Sequence, residues 1–289
     1  MIRRVGHNLA VREDRPEAAA RLEEHGWLLL PGAIDAALLR ELADELTSLY
    51  SEGVGGDAVD ADAGGGADAR DTARYRYQAC NRSDAAQRAL ALPAVLAAIE
   101  PLLGEDCHVI ANTVWRDPPG FEGGPWHCDA GPHVPRPPGV AWPDDIPYPV
   151  FAVGAHLYLT PCRLDDGPTA VVPGSHRSGR LPPRPPDGAD VDLDWAPTFE
   201  GRGPVVVEAD AGDVVLFVSD VWHRGTPARP GGRGRFFLQA HYGRRDIAQR
   251  LVPTASSHQL SDAAVERARA SGPRHERLVG LHPRHFYDG

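Results

Sequence analysis

Two patterns of apolar residues divide the chain, and the first is helical. Apolar residues recur three or four positions apart in several stretches before residue 104, which is the spacing that gives a helix one buried side. The predicted elements are helices over 16–24, 35–50 and 83–103, with a short strand over 27–30. Asp35 and Ser83 stand where each can cap a helix, because a short polar side chain accepts hydrogen bonds from free backbone N–H groups. The sequence therefore predicts a helical N-terminal part over 14–103.

From about residue 105 to about residue 245 the pattern changes to short apolar runs interrupted by Gly and Pro. Such runs are typical of an all-β sandwich or barrel. The predicted strands run over 107–115, 150–159, 170–172, 204–208, 213–218 and 236–241, and two Pro-rich insertions cover 133–148 and 181–198. A weak helix is predicted over 262–270, within a C-terminal extension of 246–289. Since no linker divides the chain, we expect a single domain over 1–289.

Residues 53–71 consist mostly of Gly, Ala and Asp. Such a composition cannot bury an apolar core and is typical of a solvated loop. A long Gly-rich loop can also be a lid over a binding site. The sequence leaves both interpretations open.

Charge and composition narrow the classes of function. A net charge of −10 argues against nucleic acid or an anionic membrane as a partner. All 30 basic residues are Arg, which excludes Lys-dependent chemistry such as a pyridoxal Schiff base or a P-loop nucleotide site. No apolar run has the length of a membrane span, and no apolar segment after the basic N-terminus predicts a signal peptide. The four cysteines are scattered along the sequence, which is typical of reduced thiols rather than of a disulfide framework. We therefore expect a cytoplasmic protein.

The strongest candidate for chemistry is the segment 125–131, Pro-Trp-His-Cys-Asp-Ala-Gly. Residues two positions apart in an extended segment face the same side, so His127 and Asp129 can reach one common point. A His nitrogen and a carboxylate oxygen are two of the three ligands in the 2-His-1-carboxylate triad that holds non-haem Fe(II). His223, near the end of the apolar run that begins at 213, can supply the third. We predict that His127, Asp129 and His223 bind a metal, although each alone could be a structural residue.

Arg235 lies twelve positions after His223 and opens another apolar segment. Its guanidinium is always charged and can bind a carboxylate through two parallel hydrogen bonds. A metal triad followed by such an Arg indicates an anionic co-substrate beside the metal. Arg233 is an alternative, but its place between two glycines is more typical of a solvated turn residue.

These residues resemble the phytanoyl-CoA dioxygenase family of Fe(II)/2-oxoglutarate-dependent oxygenases. The resemblance extends from about residue 20 to about residue 245. The motifs that carry it are 24–32, His127-Cys128-Asp129, 166–169, 171–177, Gly212-Asp213, His223-Arg224-Gly225, and Arg235 followed by Tyr242.

The resemblance implies a mainly β fold: a double-stranded β-helix of the jelly-roll, cupin-like kind over about 105–245, with the N-terminal α-helices packed outside. It also implies Fe(II) on His127, Asp129 and His223, with 2-oxoglutarate chelating the metal and its far carboxylate on Arg235, and with O₂ as the second co-substrate. Contacts to the co-substrate or substrate are expected from residues on strands that flank the metal motif, namely Asn112, Arg116 and Tyr158.

The resemblance further implies a dioxygenase, a hydroxylase that oxidises an unactivated C–H bond of a small molecule and releases succinate and CO₂. We expect this substrate to belong to secondary metabolism. Related halogenases carry a small residue in place of the carboxylate ligand, so Asp129 favours hydroxylation. The sequence carries no signal of oligomeric state.

Two alternatives stay open at this point. One is a cupin-type metal enzyme that uses no 2-oxoglutarate, such as an isomerase, and the other is a non-catalytic small-molecule binder with the same fold. Arg235 counts against the first, because such an enzyme needs no residue to bind a far carboxylate. The intact triad of His127, Asp129 and His223 counts against the second.

Overall fold

A computed structural model describes residues 16–51, 71–129, 131–143, 145–186, 195–247 and 260–283. The segment 53–71, for which the sequence suggests either a loop or a lid, lies outside these residues except for Asp71. Among the described residues, no helix is long and apolar enough to cross a bilayer.

The helices lie mainly where apolar spacing predicts them. They are α1 (Glu17–His25), α2 (Ala36–Ser48), α3 (Ala79–Arg82), α4 (Asp84–Ala89), α5 (Pro93–Leu103), α6 (Asp262–Ser271) and α7 (Pro273–Leu278). Asp35 caps α2, since its carboxylate accepts hydrogen bonds from the backbone N–H groups of Ala37 and Leu38, each at 2.9 Å. The stretch predicted as one helix over 83–103 is two helices, α4 and α5. Pro93 separates them because it lacks an N–H group and restricts the residue before it.

Every predicted strand is present, with each end within two residues of its expected place. The strands are β1 (Trp27–Leu30), β2 (Tyr75–Tyr77), β3 (His108–Asp117), β4 (Ala152–Tyr158), β5 (Thr169–Val171), β6 (Val205–Val207), β7 (Val214–Val218), β8 (His223–Gly225) and β9 (Arg235–Gly243). The sequence did not predict α3, α7, β2 or β8. His223 was expected near the end of the strand that begins at 213. That strand ends at Val218, and His223 instead opens β8 in the other sheet.

The strands form two antiparallel sheets. A six-stranded sheet has the order β1-β7-β4-β9-β3-β2, and a three-stranded sheet has the order β6-β5-β8. Apolar residues on one face of the large sheet, such as Leu157, Leu216 and Leu238, pack with the leucines of the helices. Residues on its other face, such as Phe217 and Phe237, pack with Val171 of the small sheet. This arrangement confirms the predicted class, a mainly β, double-stranded β-helix core with helices outside.

His176 lies in a short turn (Ser175–Ser178) against the end of α1. Gly26 ends α1 with a φ of 77°, and a Cβ at this position would lie 2.4 Å from Nδ1 of His176. The Nε2 atom of His176 lies 2.9 Å from the carbonyl oxygen of Glu23 and therefore donates its proton there. Burial lowers the pKa of His176 to about 4, because the charged form would lose its hydration. His176 is therefore a neutral, structural residue at neutral pH.

We expect the free energy of unfolding to decrease as the pH falls from about 6.5 to about 4, in part because of His176. In the unfolded chain this imidazole binds a proton near pH 6.5, but in the folded protein only near pH 4. Because the unfolded state binds more protons in this window, His176 alone should cost about 2 kcal/mol of stability at pH 5. Urea unfolding at pH 7 and pH 5 measures the loss, which should be smaller by that amount in His176→Gln. The same loss in variant and wild type would contradict this expectation.

Candidate metal centre

The three predicted ligands meet where the segment after the turn 118–120 lies against β8. His127 and His223 exchange backbone hydrogen bonds of 2.9 and 3.0 Å, which places their ring centroids 4.2 Å apart. Oδ1 of Asp129 lies 3.4 Å from Nε2 of His223 and 3.8 Å from Nε2 of His127. One potential ligand atom from each residue lies within 4.8 Å of the other two. The structure thus brings together side chains from two distant parts of the sequence.

The hydrogen bonds of the two His rings determine which nitrogen is free. Nδ1 of His127 lies 2.9 Å from the carbonyl oxygen of Pro125, and Nδ1 of His223 lies 2.9 Å from that of Val221. A carbonyl oxygen can only accept, so each Nδ1 carries a proton, and in the neutral ring each Nε2 keeps its lone pair. Two lone pairs and a carboxylate oxygen therefore face one space. This donor set fits Fe(II), which the triad holds with open positions.

The electrostatics prepare His127 and Asp129 for ligation. Burial alone would lower the pKa of His223, but Asp129 outweighs burial and raises it. Partial burial, and then the nearby His223, lower the pKa of His127 to about 4. Burial alone would raise the pKa of Asp129, but His223 and His241 outweigh it and hold that pKa below its ordinary value. At neutral pH His127 is therefore neutral and Asp129 is ionised, which are the states that metal binding requires.

Asp220 connects the metal centre to the Pro-rich insertion 133–148. Its carboxylate oxygens lie 2.5 Å from Nδ1 of His133 and 2.7 Å from the hydroxyl of Tyr148. Its carbonyl oxygen accepts a hydrogen bond of 3.4 Å from the thiol of Cys128. Cys128 therefore points away from the ligand atoms of its neighbours and contributes to packing.

Arg235 lies in the interior at the start of β9. Its Nε and Nη2 atoms donate to Oδ2 of Asp117 at 2.9 and 2.5 Å. Arg74 binds the other oxygen of the same carboxylate. One negative charge is thus shared by two positive charges. A Cβ on Gly225 would lie 2.5 Å from Nη2 of Arg235. The guanidinium therefore packs against the backbone of residue 225, where any side chain would collide with it.

A cluster of polar side chains surrounds the remaining edge of Arg235. The hydroxyl of Thr169 lies 3.4 Å from Nη1 of Arg235, 3.3 Å from the hydroxyl of Tyr158 and 3.3 Å from Nδ1 of His156. Burial raises the pKa of Tyr158 to about 12, so its phenol keeps a proton to donate. Arg235 and Tyr158 were predicted, whereas Thr169 and His156 were not.

Two further His residues line the space between the sheets. The ring of His156 lies between Phe237 and Phe217, at centroid distances of 4.3 and 4.9 Å. Burial, and then the positive charge of Arg235, lower its pKa well below the ordinary value. Nδ1 of His241 lies 3.6 Å from Oδ2 of Asp129. Residues an even number of positions apart on a strand face the same side. His156 lies two positions before Tyr158 and His241 six after Arg235, so the sequence could have indicated both.

Asn112 and Arg116 do not lie with this cluster. Both are on β3, where they alternate with the residues that face the small sheet. The side chain of Asn112 accepts a hydrogen bond from the backbone of Cys80, next to the helices, at 2.8 Å. Arg116 is exposed, and its guanidinium lies 5.4 Å from the ring centroid of Tyr50. Neighbouring residues of a strand point to opposite sides, so Asn112 and Arg116 point away from the space between the sheets. From there they do not reach the place where the co-substrate is expected.

A β core that places two His residues and one carboxylate around a shared space is typical of non-haem iron oxygenases. The chain belongs to the phytanoyl-CoA dioxygenase family, whose model matches residues 22–235. This membership confirms the resemblance, the oxidoreductase class and the predicted cofactors, which are Fe(II), 2-oxoglutarate and O₂.

Three known proteins resemble this chain in sequence or in fold. Dioxygenase af480 of Aspergillus fumigatus is 26% identical over 227 residues, which are 78% of this chain and 66% of that relative, slightly less than two thirds. The epimerase SnoN from nogalamycin biosynthesis, a non-haem α-ketoglutarate-dependent enzyme, is 22% identical with a TM-score of 0.57 over 88% of this chain and 90% of its own. EctD from S. alaskensis, solved with 2-oxoglutarate and 5-hydroxyectoine, is 22% identical with a TM-score of 0.55 over 81% and 76%. The two structures share the fold of this chain.

Proposed function

We propose that this chain is an Fe(II)- and 2-oxoglutarate-dependent dioxygenase that hydroxylates an unactivated C–H bond of a small molecule, with release of succinate and CO₂. The observation that carries the proposal is the convergence of Nε2 of His127, Nε2 of His223 and Oδ1 of Asp129. Iron held by these ligands would supply the chemistry by which O₂ oxidises the co-substrate and the substrate, and the protein supplies binding, orientation and charge.

The backbone holds the proposed ligands in place before any metal binds. The carbonyl groups of Pro125 and Val221 fix the two His rings, as outer hydrogen-bond partners of metal ligands do. The backbone N–H of Asp129 donates to the carbonyl oxygen of Ser219 at 3.0 Å. Asp129 then supplies one negative charge to balance the cation, and three protein ligands leave the other positions open for co-substrate and O₂.

In this proposal the far carboxylate of 2-oxoglutarate binds at Arg235, together with the hydroxyls of Thr169 and Tyr158. Arg235 is buried, and Asp117, which it shares with the partly exposed Arg74, neutralises it only in part. Burying a charge is costly unless it has a partner, and a carboxylate in this place would supply one. Nη1 of Arg235 points to Thr169. This edge of the guanidinium therefore faces the polar cluster around Thr169 and is the edge that a carboxylate would contact.

We propose hydroxylation as the type of oxidation. Solved structures with this fold include an epimerase and a carbocyclase, so the fold does not determine the outcome. Asp129 supports hydroxylation over halogenation, because its carboxylate fills the position that a halide would need. Two of the similar structures come from nogalamycin biosynthesis, which supports a substrate from secondary metabolism. The cluster around Arg235 argues against an enzyme without 2-oxoglutarate, since such an enzyme has no carboxylate to bind there.

Asp129→Ala should abolish the conversion of 2-oxoglutarate to succinate. The wild type, given Fe(II), ascorbate, O₂ and 2-oxoglutarate without substrate, should form succinate slowly. Loss of an outer partner of a ligand costs about 10- to 100-fold, so loss of a ligand should cost more than about 100-fold. The matched control is Asp165→Ala, since Asp165 is exposed and pairs with Arg229. Similar succinate formation by Asp129→Ala and the control would contradict the proposed metal centre.

A further inference from the structure

The turn between β7 and β8, residues 219–222, holds two of the proposed metal ligands. The carbonyl oxygen of Ser219 accepts the backbone N–H of Asp129 at 3.0 Å. The carbonyl oxygen of Val221 accepts a hydrogen bond from Nδ1 of His223 at 2.9 Å. The positions of Asp129 and His223 therefore depend on how this turn is held.

Asp220 lies between these two carbonyl groups, and its side chain is buried. One carboxylate oxygen accepts hydrogen bonds from the backbone N–H of His133 at 3.1 Å and from the hydroxyl of Tyr148 at 2.7 Å. The other lies 2.5 Å from Nδ1 of His133. A carboxylate in the interior is stable only when such donors replace its hydration, so these three hydrogen bonds hold the Asp220 side chain in one place.

The groups that bind Asp220 are themselves fixed. The ring of His133 stacks on Phe151, which directly precedes β4, with a centroid distance of 5.2 Å and an angle of 11° between the planes. Tyr148 is buried, and its pKa is raised by burial and then by the negative charge of Asp220. Its phenol therefore keeps the proton that it donates. The carboxylate thus joins the turn to a rigid part of the fold.

The hydrogen bonds of Asp220 connect both sides of the metal centre. His133 follows Asp129 by four positions, and Asp220 precedes His223 by three. Its carboxylate therefore fixes the chain that carries Asp129 against the turn that leads to His223, where Oδ1 and Nε2 of these two residues lie 3.4 Å apart. Groups that are held in place before binding lose little conformational freedom when a ligand arrives.

We propose that Asp220 is a positioning residue of the metal centre, and that its carboxylate holds Asp129 and His223 in place for Fe(II). Asp220 is outside the cluster of potential ligands and acts through the backbone of its turn. The inference rests on the proposed function, because it concerns the same metal centre. It is a statement about the affinity for Fe(II) and not about the reaction that follows.

An anaerobic titration of the full-length protein with Fe(II), against a competing chelator, tests the inference. Loss of an outer partner of a metal ligand costs about 10- to 100-fold in affinity, and Asp220 acts one step further out, so Asp220→Ala should lower the affinity for Fe(II) by about tenfold. Asp220→Asn should bind Fe(II) about as tightly as the wild type. Its amide oxygen can accept from Tyr148 and from the backbone N–H of His133, and its NH₂ group can donate to Nδ1 once the His133 ring holds its proton on Nε2.

Asp213→Ala is the matched control for lost stability. Asp213 is also buried, and its carboxylate accepts hydrogen bonds of 2.8 Å from the backbone N–H groups of Gly32 and Asp210. It lies at the start of β7, whereas the turn 219–222 follows the end of this strand. Asp213→Ala should therefore lower the free energy of unfolding in urea and keep the wild-type affinity for Fe(II). A similar loss of affinity in this control would overturn the inference, because general loosening of the fold would explain it.

Two other results would also overturn the inference. One is an unchanged affinity for Fe(II) in Asp220→Ala. The other is an equal loss in Asp220→Ala and Asp220→Asn, since the negative charge and not the position would then matter. If circular dichroism shows that Asp220→Ala is unfolded, Tyr148→Phe takes its place. This variant removes one of the three hydrogen bonds and should lower the affinity by about threefold, and an unchanged affinity would count against the inference in the same way.

Failure of the proposed function is a separate result. Asp220→Ala would then bind Fe(II) more weakly, as expected, while the iron-loaded wild type forms no succinate from 2-oxoglutarate. If the wild type forms succinate and Asp220→Ala binds Fe(II) as tightly as the wild type, the oxygenase remains and only the role of Asp220 is refuted.

Discussion

Replacing His223 by alanine should lower the affinity of the protein for Fe(II) by more than about 100-fold. Its Nε2 faces Oδ1 of Asp129 at 3.4 Å, and its Nδ1 is fixed by the carbonyl oxygen of Val221. Removing an outer partner of a metal ligand costs about 10- to 100-fold in affinity, so removing the ligand itself should cost more. An anaerobic titration with Fe(II) against a competing chelator measures the change.

The control for this prediction is His25→Ala. His25 is a half-exposed residue at the end of α1 and lies outside the cluster of potential ligands. This variant should bind Fe(II) as the wild type does. If His223→Ala also binds with unchanged affinity while circular dichroism shows that it is folded, His223 is not a ligand.

Replacing Arg235 by glutamine should lower the affinity for 2-oxoglutarate by about 100-fold and leave the affinity for Fe(II) unchanged. Truncating one partner of a buried, hydrogen-bonded charge pair typically costs 2–5 kcal/mol. Arg235 is 5% exposed, so water cannot easily replace its contact with an anion. The binding of 2-oxoglutarate to the Fe(II)-loaded protein, measured without O₂, tests the prediction.

Arg74→Gln is the matched control, because it removes the other guanidinium from Asp117. The side chain of Arg74 is 31% exposed, and its contact is with Oδ1 of Asp117. This variant should change the affinity for 2-oxoglutarate by no more than a few-fold, since a partly exposed ion pair contributes about 0–1 kcal/mol. Equal losses in the two variants would mean that Asp117, not the co-substrate, explains the effect of Arg235.

Most of the fold could be predicted from periodicity alone. Helical spacing located α2, and short apolar runs located the long strands, because each element buries one face. The errors occur where the chain changes direction. Pro93 divides one predicted helix in two, and the turn after Val218 places His223 in another sheet. The bounds of such turns depend on tertiary contacts that a local pattern does not contain.

The candidate site was predictable where its residues form a motif. His127 and Asp129 stand two positions apart, which is enough to place both on one side of an extended segment. The contacts of Arg235 were not predictable, because Asp117 is 118 positions away in the sequence. Asn112 shows a different limit: it lies on a strand that flanks the metal motif, as expected, but its side chain is on the outer face. Without the register of β3 against β9, sequence alone does not show which alternate residues face inward.

A cleft beside His127 depends even more on tertiary structure. Its walls come from segments around 126, 182 and 195 that share no pattern. The insertion 181–198 was visible as a Pro-rich interruption, but its approach to the metal motif depends on packing.

Anaerobic addition of 2-oxoglutarate to the Fe(II)-loaded protein tests the metal centre and the co-substrate site together. A keto acid chelated to Fe(II) gives a weak visible charge-transfer band, which should form in the wild type, weaken in Arg235→Gln at the same concentration and be absent in His223→Ala. Iron that binds without this band would contradict the co-substrate site and favour a cupin-type enzyme. If no iron binds, the metal centre itself is contradicted, and a non-catalytic small-molecule binder becomes the better explanation.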